Sequence, residues 1–321
     1  MLVNDRVFRN HMATSYLRYY WVLPVLLAVA AACQPPQVEP DPANPSSSAV
    51  LVVVPGSAAA RLRVKSISEA LPGNSARLTT FTYDRDGRLS GVQAVQTPDS
   101  TWATTERNYY QYDTKNRLIK HQHQIVVPAS YTLVAPLAEE HQFDYNTDGL
   151  LTEIRYKASS GVPLRPNQTI VDLSELDGSG RLGYVLRPVY DAAKKVIGSQ
   201  KAYYWQSTSA TYASDYSYTG DLVTGVRTLM TINGTVSTPQ TYSLSYDTKI
   251  NPFYGVYVVP GYFGGIANWF LNLSTLSPNN ITRVEGVSYR YEYNSANLPI
   301  VRYTVTDDKV IQTLRFAYES Y

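Results

Sequence analysis

From about residue 61 to the C-terminus, apolar and polar residues alternate over short stretches, and turn-forming residues separate one stretch from the next. A period of two places successive side chains on opposite faces of a β-strand. The pattern therefore predicts an all-β region in which antiparallel strands are joined by turns.

One unit recurs along this region: an aromatic residue, any residue, Tyr, Asp or Asn, two residues, Gly or Asn, and soon afterwards Leu. Three copies agree at every key position, at residues 81–89, 110–118 and 143–151. Weaker copies follow at residues 177–182, 190–196, 216–218, 244–247, 291–297 and 316–318. Asp or Asn bonds the backbone two residues on, and Gly or Asn accepts the left-handed conformation. The unit is therefore a hairpin signature that places two aromatic side chains on one sheet face.

The number of copies sets the size of the sheet. Repeats of roughly 30 residues with two strands each give about sixteen to eighteen strands, which is more than a flat sheet tolerates. We therefore expect a large antiparallel meander of hairpin repeats, forming a strongly curled or barrel-like single sheet. Lys194 and Ile250 stand where Gly or Asn is expected. Ile250 disfavours positive φ, so we expect its copy to be remodelled around Asn251 and Pro252.

The N-terminus has the pattern of a bacterial export signal. Three arginines, at positions 6, 9 and 18, precede an uncharged apolar run over residues 21–32. This run is too short for a transmembrane helix, which needs about 20 apolar residues. It ends at Cys33, the only cysteine, and residues 30–33 resemble the lipobox of bacterial lipoproteins. We expect cleavage before Cys33 and lipidation of its thiol, which would anchor the chain to a membrane.

The chain accordingly divides into three parts. Residues 1–32 are the expected signal peptide, residues 33–60 a Pro- and Ser-rich tether, and residues 61–321 the repeat β domain. Removal of the signal peptide takes away three arginines and one aspartate, which leaves 25 basic and 25 acidic residues. Because nucleic-acid binding requires a clustered basic surface, this balance argues against nucleic acid as a partner.

The repeats also carry a family resemblance. The units at Tyr83, Tyr112 and Tyr145 are similar to the YD repeats of RHS-type bacterial proteins. The stretch from about 62 to 321 more closely resembles an uncharacterised class of Bacteroidota lipoproteins with a porin-like β-sheet fold. The residues that carry this second likeness are the repeats themselves and residues 246–253, 277–280 and 293–299. It implies a β fold and a lipid-anchored place at the outer membrane, on its periplasmic or surface face, and it names no catalytic residue.

Three histidines are weak candidates for a metal site. His121 and His123 share one strand face, and His141 follows Glu139 and Glu140 on the next predicted strand. Whether His141 joins the other two depends on a register that a shift of one residue would invert. Solvated strand faces are the favoured interpretation, and we expect neither a metal nor a cofactor.

The largest interruption of the repeat spans residues 251–280. Long insertions on rigid scaffolds often carry function. Our candidate ligand surface therefore consists of six aromatic residues of this segment: Tyr254, Tyr257, Tyr262, Phe263, Trp269 and Phe270. The alternative is a plug that caps the core of the sheet with aromatic side chains.

No catalytic constellation is evident in the sequence. We expect a lipid-anchored binding or structural module of the cell envelope that presents an aromatic surface to a glycan or an envelope protein. The first alternative is an envelope enzyme acting on polysaccharide, and the second is a barrel-like pore or shell. A lipid-facing strand should carry an apolar stripe. The last strand instead places Thr313, Arg315, Ala317 and Glu319 on one face, which argues against a barrel embedded in lipid.

Overall fold

The computed structural model describes residues 62–71, 74–97, 105–126, 136–160, 182–205, 208–256 and 273–321. The predicted signal peptide, Cys33 and the tether lie outside the described residues. Lipidation of Cys33 and the three-part division of the chain therefore stay predictions. No helix in the described ranges is long and apolar enough to cross a membrane.

The described residues form seventeen strands and one short 3₁₀ helix, Leu273–Leu276. The strands are β1 (Leu62–Leu71), β2 (Ser75–Tyr83), β3 (Leu89–Thr97), β4 (Thr105–Tyr112), β5 (Leu118–Val126), β6 (Pro136–Tyr145), β7 (Leu151–Ser160), β8 (Leu182–Tyr190), β9 (Val196–Trp205), β10 (Thr208–Thr219), β11 (Leu222–Ile232), β12 (Thr235–Val236), β13 (Gln240–Ile250), β14 (Asn279–Val284), β15 (Val287–Tyr293), β16 (Pro299–Thr306) and β17 (Lys309–Ser320).

The sheet closes on itself. Successive strands pair in antiparallel fashion, and β1 pairs with both β2 and β17. The two-residue strand β12 pairs only with β11, which also pairs with β13, so β12 lies beside the ring. The remaining sixteen strands form a closed barrel. The expectation of an all-β, barrel-like meander is confirmed.

The repeat unit forms the predicted corner between strands. In the first copy, the Asp84 carboxylate accepts the backbone N–H groups of Asp86 (3.0 Å) and Arg88 (2.9 Å). Gly87 has φ of +79°, in the left-handed region that glycine adopts without steric cost. The pairing register shifts beside Tyr83, which marks the bulge. We call the end of the barrel that carries these corners the turn end.

The two departing copies behave differently. Lys194 adopts φ of +66°, so its hairpin keeps the corner despite the side chain. Ile250 instead ends β13 as part of the strand, and the next positive φ is that of Gly255, at +78°. Since a β-branched side chain resists the left-handed region, the chain continues past Ile250 into the insertion. The expected remodelling is confirmed.

In most units the tyrosine before the turn ties its hairpin to the preceding one, whereas the Tyr293 hydroxyl donates to the Asp247 carboxylate. The Tyr112 hydroxyl donates to the Leu89 carbonyl at 2.8 Å. The same bond, at 2.5–2.9 Å, recurs at Tyr83, Tyr145, Tyr190, Tyr218, Tyr246 and Tyr318. We call these seven bonds among the described residues the tyrosine clamps. Burial raises the pKa of Tyr218 to about 12, so its hydroxyl keeps the proton that the clamp donates.

The basic residue of the unit adds a second link between hairpins. Arg88 lies over the ring of Tyr112, with 4.8 Å from the guanidinium carbon to the ring centroid. The other basic residues that stack on the next clamp tyrosine in this way are Arg117 at 4.6 Å and Lys195 at 4.0 Å. Such cation–π contacts are worth about 0.5–2 kcal/mol. These three units thus hold the next unit by a hydroxyl and by a cation.

The core of the barrel lies inside it. A cluster of buried apolar and aromatic residues runs from Val64 on β1 around the wall to Leu314 on β17. Because a closed sheet has a single concave face, this continuous cluster marks the interior. Ile154 and Leu314 are fully buried within it. The aromatic pairs of the repeat therefore point inward.

The outer face carries ion pairs instead. Arg187 bonds Glu153 at 2.7 Å, and Arg155 bonds Asp144 at 2.8 Å. On β17, Arg315 and Ala317 are exposed while the alternating Leu314 is buried. A strand that faces lipid would show the opposite distribution. Near the corners the inner face of the described wall is thus apolar and aromatic, whereas the outer face carries ion pairs beside exposed apolar residues such as Leu78 and Ile300.

Candidate functional site

The predicted ligand surface is only partly described. Tyr254 is exposed, with 44% of its surface accessible, whereas Tyr257, Tyr262, Phe263, Trp269 and Phe270 lie outside the described residues. The neighbouring Phe253 packs into the barrel, with its ring centroid 5.9 Å from that of Phe81 and 6.5 Å from that of Phe316. This start of the insertion behaves as the plug interpretation expects. The ligand surface itself stays a prediction.

Polar side chains enter the inner face with increasing distance from the turn end. Along β4 the inward residues, starting at the turn, are Tyr112, Tyr110, Asn108 and Glu106. The register pairs Asn108 with His123 of β5. The wall is therefore aromatic near the corners and hydrogen-bonding farther inside the barrel.

The register of β5 and β6 brings the three histidines to this inner face. His121 pairs with His141, and His123 pairs with Glu139. The neighbouring Glu140 lies on the opposite face, where it bonds Lys120 at 2.8 Å. The question that the sequence left open is thus resolved in favour of a shared face.

Four buried side chains form one line of hydrogen bonds across the wall. Tyr184 lies 3.0 Å from His141 Nε2, His141 Nδ1 lies 3.2 Å from His121 Nδ1, and His121 Nε2 lies 2.9 Å from Asn108 Oδ1. With both imidazoles neutral, one proton arrangement satisfies every bond. Tyr184 donates to His141, His141 donates to His121, and His121 donates to Asn108. We call this line the histidine chain.

Both histidines of the chain are held neutral. Burial lowers the pKa of His141 to about 4. Burial and then the neighbouring His141 imidazole lower the pKa of His121. Protonation of both rings would place two Nδ1–H groups against each other at 3.2 Å. The hydrogen bonds of the histidine chain are all satisfied when both rings are neutral.

His123 has the opposite environment. Its Nδ1 lies 3.1 Å from Glu139, and its Nε2 lies 3.5 Å from Glu106. Burial opposes a charge here, but the hydrogen bonds to Glu106 and Glu139 outweigh it and raise the pKa of His123 to about 9. Burial likewise opposes the Glu139 charge, yet hydrogen bonds from His123 and Tyr156 lower the pKa of Glu139. His123 is a cation between two carboxylates.

These residues define one feature of the wall. We call Glu106, Asn108, His123, Glu139 and Tyr156 the inner-wall site. Tyr156 closes it by donating to Glu139 at 2.9 Å. The site joins four consecutive strands, β4 to β7, and its residues Asn108, His123 and Glu139 lie directly opposite one another across β4, β5 and β6.

The shared face does not make a metal centre. Within the described ranges, no group of three or more His, Cys, Asp or Glu residues is arranged to hold a metal ion. The ring nitrogens of His121 and His141 are used by the histidine chain, and those of His123 face carboxylates. A metal would have to replace these bonds.

A row of rings continues from the inner-wall site along the wall. Tyr156 stacks on Tyr184 with 4.4 Å between ring centroids, and Tyr203 and Tyr212 follow at 5.3 and 5.5 Å. The Lys201 ammonium lies 3.8 Å from the Tyr184 centroid. Burial lowers the pKa of Lys201 to about 7. These four tyrosines lie outside the repeat units, and their rings pack across neighbouring strands.

Sequence reasoning named the histidines but missed their partners. Asn108 and Tyr156 carry no motif, and Glu106 was indistinguishable from other strand carboxylates. Alternation along β4 does put Glu106 and Asn108 on the face of Tyr110. That signal could have placed both residues inside the sheet once the aromatic face was assigned to the interior.

Comparison with known proteins finds matches among solved structures. No protein-family model matches the chain, and no curated protein matches it. Among solved structures it is similar to a porin-like protein from Bacteroides uniformis ATCC 8492, with 11% identity, a TM-score of 0.43 and coverage of 80% of this chain and 98% of that one. It is also similar to a porin-like protein from Bacteroides vulgatus ATCC 8482, with 15% identity, a TM-score of 0.44 and the same coverage. Neither likeness assigns a ligand, partner or activity to this chain.

Proposed function

We propose that this protein is a lipid-anchored binding barrel of the cell envelope, whose wall faces water and whose interior holds the ligand. Cys33 would carry the lipid, residues 33–60 would lift the barrel off the membrane, and the barrel would be the ligand-binding part. The fold itself agrees best with the barrel-like alternative among the functions expected from the sequence. The proposal keeps the expected binding role and moves it from an outer sheet surface to the interior.

The observation that best supports this proposal is the distribution of side chains between the two faces of the wall. Rings and aliphatic side chains face inward, whereas ion pairs such as Arg187–Glu153 face outward. Arginine on a lipid-facing strand is destabilising by about 2–4 kcal/mol near the middle of a bilayer. This distribution supports a barrel surrounded by water and held at the membrane by its lipid.

The enzyme alternative has less support. Hydrolysis of polysaccharide needs a carboxylic acid that keeps its proton, so the pKa of one carboxyl group should be raised. In the inner-wall site the pKa of Glu139 is lowered by its bonds with His123 and Tyr156, despite burial. A carboxylate held in this state suits hydrogen-bond acceptance better than proton donation.

The test compares the wild-type chain with Cys33→Ser in a Gram-negative host of the Bacteroidota. We expect metabolic palmitate to label the wild type only, and we expect Cys33→Ser to move from the membrane fraction to the detergent-free soluble fraction. Ala32→Leu, which should block cleavage beside an intact Cys33, is the matched control. A Cys33→Ser protein that stays in the membrane after an alkaline carbonate wash would contradict the proposal and favour a membrane-embedded pore.

A further inference from the structure

We propose that the inner-wall site binds a neutral, hydroxyl-rich ligand of the carbohydrate class. This inference rests on the proposed function, since it names the ligand class of a binding barrel. It concerns Glu106, Asn108, His123, Glu139 and Tyr156, which no part of the predicted ligand surface includes.

The inner-wall site can be reached from within the barrel. Its residues point inward, yet Glu106 retains 23% of its side-chain surface, His123 19% and Glu139 28%. Residues of the apolar layer nearer the turns, such as Ile154, retain none. The inner-wall site is therefore a surface of the interior, and its carboxylate oxygens can accept hydrogen bonds from a molecule inside the barrel.

The inner-wall site also contains a buried N–H donor that is not used, on Asn108. Asn108 is 4% exposed, and its Nδ2 has no hydrogen-bond partner among the described residues, while its Oδ1 accepts from His121. A buried donor without an acceptor costs about 1–3 kcal/mol. An oxygen atom of a ligand would remove this cost. The site thus offers an N–H donor beside carboxylate acceptors. A hydroxyl group can bond both, because its oxygen accepts from the N–H group and its hydrogen is donated to a carboxylate.

The charge of the site also limits the ligand class. His123 lies between Glu106 and Glu139, so the three groups together carry a net charge of minus one. This net charge repels an anionic ligand, and the charged His123 already occupies the position between the carboxylates that a cation would take. A purely apolar ligand would leave the Nδ2 donor of Asn108 without an acceptor. A neutral polar molecule can accept from Asn108 and donate to the carboxylates.

Tyrosine rings lie on both sides of the inner-wall site. Tyr110 lies next to His121 on the turn side, with 4.9 Å between ring centroids, and Tyr156 begins the row of rings on the other side. Sugars combine hydroxyl edges with apolar C–H faces, and tyrosine offers an apolar ring with a polar tip. Hydrogen-bonding groups bordered by rings therefore match both parts of a pyranose.

The experiment measures binding of the full-length protein, purified in mild detergent, to an array of neutral oligosaccharides built from glucose, mannose, galactose or xylose. Sulfated oligosaccharides, chitosan oligomers and long-chain fatty acids on the same array represent the rejected ligand classes. The best neutral binder is then titrated by calorimetry against Glu106→Gln and Asn108→Ala. The matched control is Glu153→Gln, which removes a carboxylate of the outer face.

We expect at least one neutral oligosaccharide to bind, and we expect Glu106→Gln and Asn108→Ala each to weaken it by about tenfold or more. Glu153→Gln should bind as the wild type does. Circular dichroism identifies any variant that fails to fold, and the other inner-wall variant then decides. The inference is overturned if no neutral oligosaccharide binds, if only charged or apolar probes bind, or if the inner and outer variants lose affinity equally. Such a result leaves the fractionation test of the lipid-anchored barrel unaffected.

Discussion

The turn end of the barrel and its inner-wall site are built from the same strands but differ in regularity. At the turn end, one corner, one clamp and one stacked cation recur from hairpin to hairpin, and Tyr112 with Leu89 and Arg88 is typical. Four residues before Tyr112 on β4 the repetition stops, and Asn108 and Glu106 contact His121 and His123 instead. The difference indicates that the repeat forms the barrel scaffold, whereas residues outside the repeat determine which polar side chains meet inside this barrel.

The same contrast appears in how polar atoms are satisfied. Each clamp tyrosine donates its hydroxyl hydrogen to a backbone carbonyl at or near the start of a neighbouring strand, as Tyr112 and Tyr145 do. The inner-wall site keeps an unused donor on Asn108 and partly accessible carboxylates. We infer that the first region contributes mainly stability and the second mainly recognition.

The largest expected effect is on the apolar layer. Ile154→Ala should lower the free energy of unfolding by about 2–5 kcal/mol, because Ile154 is fully buried and its loss leaves a cavity. Ile300→Ala, at a 37% exposed position, is the matched control and should cost far less. Urea unfolding followed by circular dichroism measures both. Equal losses would mean that Ile154 does not lie in a packed interior.

Acid should act on the histidine chain. The pKa of His141 is about 4 in the folded chain and about 6.5 when unfolded. The unfolded state therefore binds more protons, and stability should be lost as pH falls from 6.5 toward 4, by on the order of 2 kcal/mol. His141→Gln keeps a hydrogen-bonding side chain but cannot titrate.

The measurement is the urea midpoint of the wild type and of His141→Gln between pH 7 and pH 4. The wild-type midpoint should fall more steeply over this range than that of the variant. Parallel curves would show that the histidine chain does not link protonation to folding.

A single clamp should have a smaller effect. Tyr112→Phe removes the hydroxyl that bonds Leu89 and leaves that carbonyl without its donor, at a cost of about 1–2 kcal/mol. Tyr303→Phe is the control, because the Tyr303 hydroxyl bonds Glu292 on the exposed outer face. We expect its urea midpoint to stay close to that of the wild type. A clamp variant as stable as this control would contradict a structural role for the clamps.

The smallest effect on stability is expected at the inner-wall site. Glu106→Gln removes one of two carboxylates beside His123, with 3.5 Å between charged atoms at a partly accessible position. Pairs of this kind contribute about 0–1 kcal/mol. Urea titration should therefore place the variant within this range of the wild type. A loss as large as that of Ile154→Ala would make Glu106 a structural residue.

The repeat made much of the fold predictable. Asp84 and Gly87 determine the corner through local hydrogen bonding and a positive φ, and such local rules are visible in sequence. The strand number followed from counting corners, and the remodelled copy at Ile250 followed from its branched side chain. Closure between β1 and β17 was predictable only as curvature, because the partners Arg63 and Glu319 lie far apart in the chain.

The inner-wall site was much less predictable. His121 contacts His141 across 20 residues of chain, and Tyr184 reaches His141 across 43. These contacts depend on the register of three strand pairings, in which one residue of slip exchanges the two faces. Asn108 had no distinguishing pattern, since its importance comes from an unpaired atom in three dimensions. Turn chemistry in the sequence therefore predicts the scaffold, whereas the contacts between side chains inside the wall are known only from the folded structure.

Neighbouring single cysteines on β11 test most directly whether the outer face of the wall is exposed to water and the inner face is enclosed. Arg227 is exposed on the outer face and Thr228 is buried on the inner face, at 3% exposure. In a Cys33→Ser background without detergent, the rate of maleimide labelling is measured for Arg227→Cys and Thr228→Cys. Rapid labelling at 227 and protection at 228 is the predicted result. Protection at 227 with rapid labelling at 228 would contradict the account, because the outer face would then be the covered one.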